Sequence, residues 1–151
     1  MKILLATDGS KTGTAASEAV KNFAIGPQDE IKVISIVDVQ VPLSIDIYGG
    51  YLPDTTELEK MAKENAAKVV EETGARIKSY FPDSDVQVST EVLFGTPESL
   101  IVETAEEMRA DFIIIGSRGH NRWERLLLGS VSNSVVQHAH CSVLVVRAER
   151  E

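Results

Sequence analysis

Cys141 is the one cysteine among 151 residues, so the chain cannot close a disulfide within itself, a composition that fits a reducing compartment. Long apolar runs are also missing. No segment approaches the ~20 apolar residues that a membrane span needs. The N-terminal run Ile3-Leu4-Leu5-Ala6 is too short for a signal peptide, and no small-residue cleavage pattern follows it. A cytoplasmic location and no membrane partner are the expectations. Positive charge is in deficit: 15 Lys and Arg stand against 23 Asp and Glu, a formal net charge of −8. A generally acidic surface repels nucleic-acid phosphates and anionic lipids, so neither is an expected partner. An anionic ligand would have to be captured by a local site.

Several familiar sites are absent as well. There is no G-x-x-x-x-G-K-[ST] phosphate loop and no dinucleotide G-x-G-x-x-G. His138, His140 and Cys141 lie close in sequence, but the spacing fits no closed zinc site and a fourth ligand is not visible. They read as structural, with Cys141 packing as a small buried side chain.

What is present is a regular alternation of two kinds of segment. Lys2–Thr7 is a short apolar run, and Ser10 is a helix N-cap before Ala15, Ala16, Ala19, Val20 and Phe23 at helical spacing. Gly26-Pro27 should stop that helix. Ile31–Val37 is nearly continuous in apolar residues, as a strand covered on both faces should be. Asp38 to Pro53 reads as a loop. A long helix follows, with Leu58, Met61, Ala62, Ala66, Val69, Val70, Ile77 and Tyr80 as its apolar stripe and Pro82 as its stop. Asp85–Leu93 alternates apolar and polar, which puts one face or one edge in water. Thr96-Pro97 opens the next helix as N-cap and first-turn proline. Asp111–Ile115 is a fourth, apolar strand, Ser130–His138 a short helix and Ser142–Val146 the last strand. Strands alternating with helices predict one α/β domain over residues 1–151, Rossmann-like, with a doubly wound five-stranded parallel sheet of order 3-2-1-4-5 and helices on both faces.

In such a sheet, ligands bind outside the carboxyl ends of the strands, where the strand order reverses. The fourth strand leaves through the most unusual sequence, Gly116-Ser117-Arg118-Gly119, and the chain reaches the next helix at Gly129-Ser130-Val131-Ser132. Gly116 and Gly119 lack a Cβ, which lets backbone amides approach a ligand and permits positive φ. A helix start at Gly129-Ser130 offers unpaired N–H groups to an anion. The Ser130 hydroxyl can cap its helix or donate to a phosphate. Arg118, His120, Arg122 and Arg125 concentrate positive charge on an acidic chain. On glycines and charges alone, the stretch reads equally as a solvated loop between a C-cap and an N-cap glycine.

The spacing G-x-x-G, nine residues, G-S, at Gly116, Gly119, Gly129 and Ser130, resembles the nucleotide loop of ATP-binding universal stress proteins. The opening strand into Thr7-Asp8-Gly9-Ser10 and the closing Cys141–Val146 are similar to that family too, so the resemblance spans essentially the whole chain. It implies that Ala6, Thr7 and Asp8 lie against adenine and ribose and that the Ile36 backbone reads the adenine edge. Asp8 could instead serve as a helix cap. The resemblance further implies that Ile115, Gly116, Arg118 and Gly119 line the ribose and first phosphates, and that Gly129, Ser130, Val131 and Ser132 hold the distal phosphates. The cofactor implied is ATP, with Mg²⁺ carried on the phosphates, and the activity implied is a nucleotide-binding regulator of the stress response. The alternative is a slow Mg-dependent ATP hydrolase. The loop offers no obvious water-orienting acid or amide except Glu124, so any turnover should be weak. A phospho-receiver domain is excluded, because strand three ends at Phe94-Gly95 without an aspartate and strand five at Arg147 without a lysine. Finally, Ser142–Val146 would be an apolar sheet edge, and the resemblance implies a homodimer through it.

Overall fold

The computed structural model describes residues 1–38, 56–117 and 128–148. Five strands, β1 (Lys2–Ala6), β2 (Glu30–Val37), β3 (Gln87–Phe94), β4 (Phe112–Gly116) and β5 (Ser142–Val146), alternate with helices α1 (Lys11–Ala19), α2 (Thr56–Tyr80), α3 (Pro97–Met108) and α4 (Ser130–His138). Every strand pair is parallel and the order is β3-β2-β1-β4-β5, as the pattern of segments predicts. The direction of winding reverses between β1 and β4.

The apolar strands are covered on both sides. Ile3, Leu5, Ile31, Val33 and Ile114 point to the face under α1 and α2, where they meet Ala16, Val70 and Ile77. Leu4, Ala6, Ile34, Ile113 and Ile115 point to the other face, against Ile101 and Ala105 of α3 and Val135 of α4. A strand buried on both faces has no reason to alternate, which accounts for the unbroken apolar runs. β3 is an edge strand and does alternate. Val88 and Val92 pack toward the first core, whereas Gln87, Ser89 and Glu91 are exposed, and Glu91 takes an ion pair from Lys32 on β2 at 2.6 Å.

Three local expectations are corrected. The first helix stops at Ala19 and passes through a 3₁₀ turn at Val20–Asn22, ahead of Gly26-Pro27. Phe23 turns extended there and packs edge-on against Phe112, with ring centroids 5.3 Å apart. Thr96 is an N-cap by position only: its hydroxyl makes no cap bond, and Pro97 carries the start signal. Leu58 and Met61 do not belong to the buried stripe of α2, being 67% and 59% exposed, and the buried positions begin at Ala66. The reason is length. At ~1.5 Å per residue a helix of 25 residues spans about 37 Å. A strand of 8 residues spans only about 26 Å at ~3.3 Å each. The first turns of α2 therefore overhang the sheet.

Candidate functional site

The carboxyl ends of β1 and β4 lie side by side at the reversal point, with Ala6 opposite Ile115. The chain leaves β1 through a tight turn. Gly9 takes φ +76°, which a residue with a Cβ adopts only under strain, and its N–H donates to Thr7 Oγ1 at 3.2 Å. The Ser10 N–H donates to Asp8 Oδ1 at 2.9 Å, and the Gly13 N–H to Ser10 Oγ at 3.2 Å. Ser10 is therefore the cap of α1, as expected, and Asp8 is not: one of its oxygens holds the turn ahead of the cap.

β2 continues past β1. The last pair between them is Ala6 with Ile34, and the Thr7 N–H donates to the Ile34 carbonyl at 3.0 Å. On the other side, the Val37 carbonyl accepts from Gly95. Successive residues of a strand address opposite neighbours, so the N–H and carbonyl of Ile36 face the β1 side, beyond the end of the β1–β2 pairing. This puts a backbone donor and acceptor at the carboxyl edge, next to the reversal point. The side chains of Ala6, Ile36 and Ile115 all belong to the α3/α4 face.

β4 leaves the sheet through Gly116 and Ser117. The Ser117 N–H donates to the Val146 carbonyl at 2.7 Å, which extends the β4–β5 ladder by one bond. Gly116 is not at positive φ; among the described glycines that conformation occurs at Gly9 and Gly95. What Gly116 provides is space. A Cβ there would stand 2.8 Å from the backbone carbonyl carbon of Thr12 and 2.8 Å from its Oγ1. The first turn of α1 rests directly on the end of β4, and the missing side chain serves that contact. The positive φ that a glycine permits is therefore not what Gly116 is used for.

α4 begins at Gly129, which occupies the N-cap position with φ −61° and ψ 159° and has no side chain to cap with. Its N–H donates to the Ser117 carbonyl at 2.9 Å, which ties the start of α4 to the end of β4. The first intrahelical bond runs from Asn133 N–H to the Gly129 carbonyl at 2.9 Å. The N–H groups of Ser130, Val131 and Ser132 lie ahead of it, the unpaired first turn of a helix. Ser130 is exposed at the first helical position and does not cap its helix. Ser132 is 2% exposed, and its hydroxyl donates to the carbonyls of Ser117 and Gly129, each at 3.0 Å. That clamp is invisible in sequence, because it joins residues 15 apart. Arg118 and Gly119, with His120, Arg122, Glu124 and Arg125, lie outside the described residues.

A cavity of about 210 Å³ lies at the other end of the sheet, lined by Ala105, Glu106, Arg109, Ala110, His140 and Cys141. His140 Nε2 is paired there with Glu106 Oε1 at 3.1 Å. Burial, with a lesser contribution from Asp111, pushes the half-buried Cys141 thiol above its ordinary pKa. Among the described residues, no helix is long and apolar enough to cross a membrane.

The fold is a doubly wound α/β domain in which the start of α4 is tied to the end of β4, beside the reversal point of the sheet. The sequence of the universal stress protein family matches residues 1–147, and the chain belongs to that family. A universal stress protein of Methanocaldococcus jannaschii is 33% identical over 150 residues, which cover 99% of this chain and 84% of that one. Among solved structures, the universal stress protein UspA from Lactobacillus plantarum aligns with a TM-score of 0.76 at 26% identity, over 97% of each chain. A universal stress family protein from Arabidopsis thaliana with AMP bound aligns with a TM-score of 0.70 over 99% of this chain and 92% of that one; at 18% identity the likeness is one of fold.

Proposed function

We propose that this chain is an adenine-nucleotide-binding regulatory protein whose ligand is ATP, with Mg²⁺ carried on the phosphates. The observation that carries the reading is the start of α4. The N–H groups of Ser130, Val131 and Ser132 precede the first helical bond and sit beside the exit of β4, at the reversal point of the sheet. Backbone donors and the positive end of a helix dipole suit a phosphate, and on a chain of net charge −8 a local trap of this kind is needed. Gly129 leaves the approach free of a side chain. The Ile36 N–H and carbonyl suit the edge of an adenine ring, which presents an acceptor beside a donor. Ala6, Thr7 and Asp8 would flank base and ribose. Ile115, Gly116, Arg118 and Gly119 would line the ribose and first phosphates, and Gly129, Ser130, Val131 and Ser132 the distal ones. Mg²⁺ would supply charge neutralisation between phosphate oxygens. Universal stress proteins of the same fold are known with AMP, dAMP and cyclic AMP, at 18%, 19% and 20% identity, so the choice among nucleotides has to be measured on this chain. Calorimetric titration with ATP, AMP and cyclic AMP, each with and without Mg²⁺, tests the proposal. Saturable binding with ATP preferred in Mg²⁺ supports it, and no heat with any of the three refutes it.

The same reading includes a homodimer through β5. Among the described residues that strand pairs only with β4, and Leu144 is 36% exposed. Because the Val146 carbonyl faces β4, the N–H and carbonyl groups of Val143 and Val145 face outward. A two-fold copy of the same strand would satisfy them and close the assembly.

A further inference from the structure

Of the hydroxyls at the start of α4, Ser132's is the one already committed. It is 2% exposed and donates to both the Ser117 and the Gly129 carbonyls at 3.0 Å. A hydroxyl has one proton, and a phosphate oxygen offers none in return, so a donor engaged with two carbonyls is not available to a phosphate. The Ser117 carbonyl also receives the Gly129 N–H at 2.9 Å, and the Gly129 carbonyl the Asn133 N–H at 2.9 Å. Each of the two carbonyls therefore has two donors.

The electrostatic consequence concerns what the mouth presents. Carbonyl oxygens carry the negative end of the peptide dipole and repel an anion; N–H groups attract it. Holding both carbonyls inward, on one buried hydroxyl, leaves N–H groups as the backbone face at 130–132. The same hydroxyl fixes the exit of β4 relative to α4, and so the spacing between what approaches Gly116 and what approaches Gly129.

On the nucleotide-binding reading above, we propose that the Ser132 side chain positions the site and its hydroxyl is not a phosphate ligand: it locks the Ser117 and Gly129 carbonyls so that the first turn of α4, the Ser132 N–H included, offers donors alone. The role then belongs to the geometry of the whole phosphate path, and the terminal phosphates have no special claim on it.

The full chain is titrated calorimetrically with ATP and with AMP as wild type, S132A, S132T and S130A, and amide exchange of Gly129 is followed without nucleotide. Loss of a buried hydroxyl of this kind should weaken ATP and AMP alike by about tenfold in S132A, with S132T, which keeps the donor, within about twofold of wild type. The Gly129 amide should exchange faster in S132A and unchanged in S130A, because the Ser132 hydroxyl shares its acceptor, the Ser117 carbonyl. A loss confined to ATP in S132A would mean direct contact with the distal phosphates and overturns the proposal. Unchanged affinities in a folded S132A would reduce the serine to a packing role and overturn it equally. Should S132A not fold, S132V has the shape of S132T without the hydroxyl, and equal affinities for that pair would overturn it. A wild-type chain that binds neither nucleotide removes the binding reading itself. Weakened variants beside a binding wild type concern Ser132 alone.

Discussion

Gly116→Ala is the sharpest test of how the site is built. The added Cβ would meet the Thr12 carbonyl carbon at 2.8 Å, Thr12 Oγ1 at 2.8 Å and Thr12 Cβ at 3.0 Å. Carbon atoms rest comfortably at about 3.5–4.0 Å, so one surface must retreat by more than half an ångström. A side-chain tip could rotate away; a backbone carbon in the first turn of a helix cannot. Nor can Gly116 yield easily, because it is paired with Val146 and buried. Overpacking of this kind costs about 1–3 kcal/mol. At about 2–4 °C per kcal/mol for a chain of this size, the melting temperature should fall by about 2–12 °C. Thr12→Ala in the same chain should not restore it, since the backbone carbon remains. Gly26→Ala is the control, because its nearest contact would be Asp29 Oδ2 at 3.8 Å, an ordinary distance. Thermal and urea unfolding followed by circular dichroism measure the differences. A melting temperature for Gly116→Ala within a degree of wild type would refute the close-packing account of this glycine, and full rescue by Thr12→Ala would place the clash on the side chain.

Val145→Pro should separate a dimer without unfolding the protomer, because the Val145 N–H faces away from β4, and light scattering of a folded variant that stays dimeric would count against the β5 interface. ATP turnover should lie far below the enzyme median of ~10 s⁻¹, as release of phosphate under saturating MgATP will show; a rate near that value would make the chain a hydrolase. Cys141 should alkylate more slowly than a free thiol at pH 8, and its rate should still be rising with pH where that of a free thiol has levelled off, since burial and then Asp111 disfavour the thiolate; equal rates at pH 8 would contradict the half-buried environment.

The placement of the site follows from a division of labour within the sheet. Apolar strands packed on both faces form the sheet, while small residues in the turn leaving β1 and at the last position of β4 bring helices close. Gly9 and Gly13 show the same economy as Gly116: a Cβ at Gly9 would lie 2.8 Å from Val69 Cγ2, and at Gly13 2.6 Å from Thr7 Oγ1. Small residues at this edge thus have packing duties beside any ligand.

Much of this was legible in the sequence. The period of the apolar residues separates strands from helices, and their continuity marks Ile31–Val37 as covered on both faces; both are local properties of the chain. The strand–helix alternation, with right-handed crossovers, leaves few topologies, and 3-2-1-4-5 is the simplest. The offsets of Gly116, Gly119, Gly129 and Ser130 drew attention to the carboxyl edge of the sheet, where Gly116, Gly129 and Ser130 stand. Tertiary structure decided the duties of the individual atoms there. Gly116 is needed because Thr12, more than a hundred positions away in sequence, rests on it. The Ser132 hydroxyl faces two carbonyls because β4 ends beside α4, and Ser130 is left exposed because the cap position falls one residue earlier. Leu58 and Met61 keep the helical period of α2 yet stay in water because the sheet ends beneath them. Periodicity is set by bonds between near neighbours and can be read in one dimension; which of the matching residues finds a surface to pack on depends on segments that meet only after folding.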